Sequence, residues 1–202
     1  MSGIPPFFLS VLISYGYFIS LFINPMLPPK DTGDFKPVIR FAITSDSHIT
    51  TIGDVQTSRL QKMIKLSYKI AENDAEYNNL DAVLIAGDVT DMGTKIAFGS
   101  IKAAITPVLK GDTQFLATVS TSHDDRTIGK ESLKLYSDIM GQEIDFHHII
   151  NGYHFIGISA STIEGEHYSE YQKEWLIEQL DAAVADAPGQ NPSGRCCGGN
   201  SP

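Results

Sequence analysis

The feature that most constrains this chain is an alternation that begins at Pro37: an apolar run, an amphipathic stretch, and the same again twice over. Val38 to Ile43 is rich in β-branched and aromatic residues and ends at Thr44-Ser45-Asp46, and Ser58 to Ala75 follows with Leu60, Met63, Ile64, Tyr68 and Ile70 at helical spacing. Asp81 to Ala86 reads as a second buried strand, Ile96 to Leu109 as a helix with Pro107 near its end, and Gln114 to Val119 as a third strand. Strands that alternate with helices in this way build a mostly parallel sheet with helical crossovers. The expected fold class is therefore α/β, and chemistry is expected where such sheets place it, at the carboxyl ends of the strands.

The pattern changes beyond Asp124. Lys130 to Met140 reads as a short helix. Phe146 to Ile150 and Tyr153 to Ile158 flank Asn151-Gly152, the dipeptide whose tolerance of positive φ makes it the strongest two-residue hairpin signal. Tyr168 to Val184 reads as an amphipathic helix with Tyr171, Trp175, Leu176 and Leu180 on one stripe. From Ala187 onward Gly, Pro, Ser, Asn and Cys dominate without apolar periodicity. Three regions are expected: a hydrophobic amino-terminal segment and linker over 1–35, a domain over 36–187, and a disordered tail over 188–202.

Composition narrows the function classes. An apolar fraction of 42% supports a packed core in 202 residues. A net charge of -9, with no Lys/Arg cluster, argues against a nucleic-acid partner, since that affinity is supplied mainly by basic residues on phosphates. Phe7 to Ile23 is almost wholly apolar or aromatic and would span about 25 Å as a helix. Two readings stay open for it: a membrane anchor or export segment, which makes the protein membrane-associated or exported, or a helix packed on the domain of a cytoplasmic protein. The adjacent Cys196 and Cys197 build neither a disulfide framework nor a zinc knuckle. Nucleotide-binding glycine loops and a Gly-x-Ser-x-Gly nucleophile motif are absent from the sequence.

Three short motifs follow the three strands: Asp46-Ser47-His48, Gly87-Asp88-Val89-Thr90-Asp91 and Thr121-Ser122-His123-Asp124. Asp46 and His48, one residue apart at a strand end, can face the same side and grip one cation. Each motif alone has an ordinary alternative: Asp46 as a helix cap, Gly87-Asp88 as turn residues, Asp91 as an N-cap. His147, His148 and His154 fall on the expected hairpin and read as surface or sheet positions.

Taken in order, the motifs resemble the Asp-x-His, Gly-Asp-x-x-Asp and Gly-Asn-His-Asp/Glu series of the calcineurin-like metallophosphoesterases, over roughly residues 37 to 187. The resemblance implies an α/β/β/α sandwich and two divalent ions, of Mn, Fe, Zn or Mg, for hydrolysis of a phosphomono- or phosphodiester. By the same resemblance Asp46 and His48 bind one metal and Asp88 bridges both. His123 donates a proton to the leaving oxygen or stabilises charge, and Asp124 orients it. Ser122 stands where the family has a metal-binding Asn; a hydroxyl is the poorer ligand, so the second site is expected to be weak. The family's late Gly-His and Gly-His-x-His motifs have no counterpart, so the sandwich is expected to be incomplete at its carboxyl end and activity reduced or lost. The alternative is a catalytically inactive remnant, or a metal- or protein-binding module of the same fold.

Overall fold

The computed structural model describes residues 37–127, 130–160 and 168–186. The apolar segment 7–23 and the tail 188–202 lie outside the described residues. Among the described residues the apolar runs become strands and the helical spacings become helices, in the order β1 (Phe41–Thr44), α1 (Val55–Glu72), β2 (Ala82–Ala86), α2 (Lys95–Ile105), β3 (Gln114–Thr118), α3 (Lys130–Met140), β4 (Phe146–Ile150), β5 (Tyr153–Gly157) and α4 (Glu170–Asp186). The first three strands form a parallel sheet in sequential order, with Ile43 opposite Leu84 and Leu84 opposite Leu116. The result is a mixed α/β fold with a parallel sheet and four helices.

Local chemistry sets the helix ends. Asp54 caps α1, its Oδ1 accepting the Thr57 N–H at 2.6 Å, and Thr94 caps α2 by accepting the Ala97 N–H at 3.2 Å. Helix α2 ends at Ile105, sooner than its spacing suggests, because Pro107 has no N–H with which to continue the ladder. Val83 and Ile85 of β2 and Phe115 and Ala117 of β3 point to the same face of the sheet. There they meet Leu60, Ile64 and Tyr68 of α1 and Phe98, Ile101 and Ile105 of α2. Tyr136 of α3 closes this cluster edge-on to Phe98, 5.7 Å between ring centroids. Burying each large side chain there contributes about 1.5–3 kcal/mol.

Strand β1 is one edge of the sheet, and it keeps Phe41 and Ile43 exposed. Phe41 packs edge-on against Phe155 of β5 at 5.5 Å, which brings the hairpin to the sheet. Asn151 and Gly152, at φ 52° and 79°, make the tight turn between β4 and β5. Helix α4 departs from the amphipathic reading: Tyr171 and Leu180 are exposed, and the buried residue is Gln172. Its Nε2 donates to Asp145 Oδ2 at 2.9 Å and to the Ser159 carbonyl at 2.8 Å. The packed face runs through Gln172, Trp175, Leu176 and Gln179, so half of the apolar stripe lies on it beside a polar clamp and half faces outward. No described helix is long and apolar enough to cross a membrane.

Candidate metal centre

Parallel strands in sequential order place their carboxyl ends side by side, and the loops that leave them continue the pairing. The Asp46 N–H donates to the Gly87 carbonyl at 3.2 Å, the Gly87 N–H to the Thr118 carbonyl at 3.1 Å, and the His48 N–H to the Asp88 carbonyl at 3.0 Å. The three motifs are thereby stitched together by backbone before any side chain is considered. Asp46, His48 and Asp88 have φ of 55°, 43° and 49°, in the left-handed region. A non-glycine residue there costs about 1–2 kcal/mol, and strain of this kind gathers where a side chain must be aimed.

The aim is convergent. His48 Nε2 lies 3.8 Å from both Asp46 Oδ1 and Asp88 Oδ2, and the His48 and His123 rings meet edge-on with centroids 4.4 Å apart. One ligand atom each from His48, Asp88 and His123 fall within 4.8 Å of one another. Such gaps exceed a direct hydrogen bond. They are close to the roughly 4 Å across an ion bonded at about 2.0–2.2 Å to nitrogen and oxygen. On the other side of the ring, His48 Nδ1 is buried without a hydrogen-bond partner and has Asp91 Oδ1 4.0 Å away. Two imidazoles and a carboxylate suit a divalent transition metal, so the donor set fits one.

The remaining motif residues take up positions around this point. Asp46 is the outlying member, its side chain 60% exposed and its Oδ2 bonded by the Ser45 hydroxyl. Ser122 donates its hydroxyl to Asp88 Oδ1 at 2.9 Å, and the Ser120 hydroxyl donates to the same oxygen. Asp124, expected beside the His123 ring, turns inward and is fully buried. Its Oδ1 accepts from the Thr90 N–H at 2.7 Å and the Thr90 hydroxyl at 2.9 Å, and its Oδ2 from the Val89 N–H at 3.1 Å and the Ser120 N–H at 2.9 Å. Burial pushes its carboxyl above the ordinary value, against the pull of those donors. Successive residues of a tight loop face different ways, and Asp91 stands at His123 in its place. His123 Nδ1 lies 3.1 Å from the Asp91 carbonyl and 3.2 Å from Asp91 Oδ1. Thr94 takes the N-cap position that Asp91 could have filled.

Sequence reasoning passed over Ser120, whose only signal is the run of hydroxyls Ser120-Thr121-Ser122 after β3. The hairpin histidines stay with the hairpin: His147 Nε2 and His154 Nδ1 are 2.7 Å apart, with Gln179 Oε1 2.9 Å from His147 Nδ1. A cavity of about 770 Å³ lined by Tyr68, Asp81, Lys110 and His148 sits at the amino ends of β2 and β3 and holds none of the strand-end residues.

No family model matches the chain. It is similar to a probable cyclic nucleotide phosphodiesterase of Rhodococcus erythropolis, 27% identical over 145 residues, a stretch that covers 70% of this chain and 47% of that protein. The chain spans about half the length of the curated relative it matches. This distant likeness points toward a phosphoesterase family.

Proposed function

We propose that this chain is a calcineurin-like metallophosphoesterase, a metal-dependent hydrolase of phosphomono- or phosphodiesters with the family's α/β/β/α arrangement. The observation that carries the reading is the meeting of His48, Asp88 and His123 within 4.8 Å at the carboxyl ends of neighbouring parallel strands, in the order of the motifs they resemble. The Rhodococcus relative agrees with it in reaction class.

In this reading His48, Asp88 and His123 would hold a divalent cation, which moves His123 from the proton-donating role that the resemblance implies to that of a ligand, and Asp46 offers a further carboxylate from the exposed side. When bound, such an ion supplies Lewis acidity toward a phosphoryl oxygen and neutralises developing negative charge. The chain's own groups do the rest. Asp91, accepting at His123 Nδ1, keeps the proton on that nitrogen and leaves the Nε2 lone pair for the ion. Asp124 acts through others: by gathering the amides of Val89, Thr90 and Ser120 it locks the loop after β2 to the loop after β3. When bound, the ion would present local positive charge to a phosphate oxygen in a chain that is acidic overall.

Hydrolysis of p-nitrophenyl phosphate, its bis-ester and a cyclic nucleotide, with added manganese, tests the reading. Turnover that depends on manganese is expected, with Asp88→Asn losing more than the roughly 10–100-fold that follows removal of a ligand's outer hydrogen-bond partner. Activity that survives both chelation and Asp88→Asn would refute it. Metal binding without turnover on any of these esters would favour the second reading, a metal-binding remnant of the same fold. That reading draws support from the serine hydroxyls already seated on Asp88 Oδ1.

A further inference from the structure

We propose that the strand-end site holds one divalent ion and that Ser120 and Ser122 exclude a second; the inference rests on the phosphoesterase reading above and deepens it. Two ions about 3.5–4 Å apart need a carboxylate that gives one oxygen to each. Asp88 is the residue placed to do so, between His48 on one side and the loop after β3 on the other. A carboxylate oxygen has two lone-pair directions. Both on Asp88 Oδ1 are taken, one by the Ser120 hydroxyl and one by the Ser122 hydroxyl at 2.9 Å, while Oδ2 faces His48 Nε2 at 3.8 Å without a hydrogen bond. The oxygen left for a metal is therefore the one on the His48 side.

Ser120 is held in place, and Ser122 lies beside it on the exposed side. The Ser120 N–H is bonded to the buried carboxylate of Asp124 at 2.9 Å, and the two hydroxyl oxygens are 3.2 Å apart. A second ion would have to strip both hydroxyls from Oδ1 and would gain in exchange two neutral oxygens, weaker ligands for a hard cation than carboxylate. Among the described residues, moreover, one group of three His, Cys, Asp or Glu ligand atoms is close enough to hold an ion, and it is His48, Asp88 and His123. The substitution of hydroxyls for amide oxygen thus does more than weaken a ligand: it occupies the bridge.

Metal content after equilibrium dialysis of the full chain against manganese, read together with its electron paramagnetic resonance spectrum, decides the matter. One ion per chain with the spectrum of an isolated manganese is expected, lost in His48→Ala. The Ser120→Ala/Ser122→Asn double variant, which frees Oδ1 and adds an amide oxygen, is expected to take up a second, more weakly held ion whose shell water completes, and to show exchange coupling. Two coupled ions in the unmodified chain would overturn the inference and leave the phosphoesterase reading standing. No bound ion would overturn both, and a double variant that still binds one ion would overturn the blocking role of the serines.

Discussion

At the scale of single residues, the centre depends on how closely two loops approach, and Asp124 and Gly93 govern that approach. Asp124 accepts four hydrogen bonds, three of them from backbone N–H groups. Asp124→Asn keeps the shape but turns an NH2 group toward backbone N–H groups. Losing hydrogen bonds to a charged group costs about 1.5–3 kcal/mol. We expect the urea midpoint to fall by that equivalent; an unchanged midpoint would show that the carboxylate does not clamp the loops. Gly93, at φ 61°, sits so close that a Cβ would lie 1.9 Å from the Asp124 carbonyl oxygen. Gly93→Ala should therefore cost more than the 1–3 kcal/mol, roughly, of a strained φ alone. Thermal melting of the variant checks this, and a loss below about 1 kcal/mol would contradict the contact. The same contrast separates what the motifs disclosed from what they hid. The gathering of Asp46, His48, Asp88 and His123 at one end of the sheet was legible because a β-α-β pattern places strand ends without reference to side chains; the role of each was an expectation from the resemblance alone. Asp91 at His123 and the inward turn of Asp124 were not, because a loop has no period from which to read where a side chain points.

At the scale of elements, the helices and strands are legible where a cap or a turn residue marks the end. Asp54 is the clearest cap. Burial pushes its carboxyl up, but the Thr57 hydroxyl and amide and the amides of Thr50 and Thr51 outweigh that and hold it well below the ordinary 3.8. The folded state therefore binds the Asp54 proton less readily than the unfolded chain does. Its stabilisation is complete above pH 3.8 and is lost as pH falls toward the lower folded value. Asp54→Ala should cost about 0.5–2 kcal/mol near neutral pH. Chemical denaturation at a series of pH values should show the two proteins converging below the unfolded value; a constant difference through the acid range would mean that the cap acts without its charge. Helix α4 shows the limit of such reading. Of its stripe, Trp175 and Leu176 lie on the docking face and Tyr171 and Leu180 do not, because the face is centred on Gln172, whose polar partners hydrophobic periodicity does not register.

At the scale of the whole described domain, the question is what joins the three-stranded sheet to the hairpin and α4. The parallel pairing follows from the alternation of elements, whereas this junction adds long-range polar pairings to the Phe41–Phe155 contact. Ser159 is its hub: its hydroxyl accepts the Val119 N–H at 3.0 Å just past β3, and its N–H donates to Asp145 Oδ1 at 2.7 Å. Gln172 then bonds both Asp145 and the Ser159 carbonyl, so one side chain ties α4 to the loop before β4 and to the segment after β5. Gln172→Ala removes this bridge and leaves the buried Ser159 carbonyl and the half-buried Asp145 carboxylate short of a donor, at a cost of about 1–3 kcal/mol. Because strand β2 is paired on both sides and buried against α1 and α2, the loss should open α4 locally and leave the sheet closed. Hydrogen exchange should then accelerate about tenfold or more in α4 for each 1.4 kcal/mol lost, with β2 amides unaffected. Equal acceleration in α4 and β2 would mean that the two parts unfold as one unit and that Gln172 supports the whole fold.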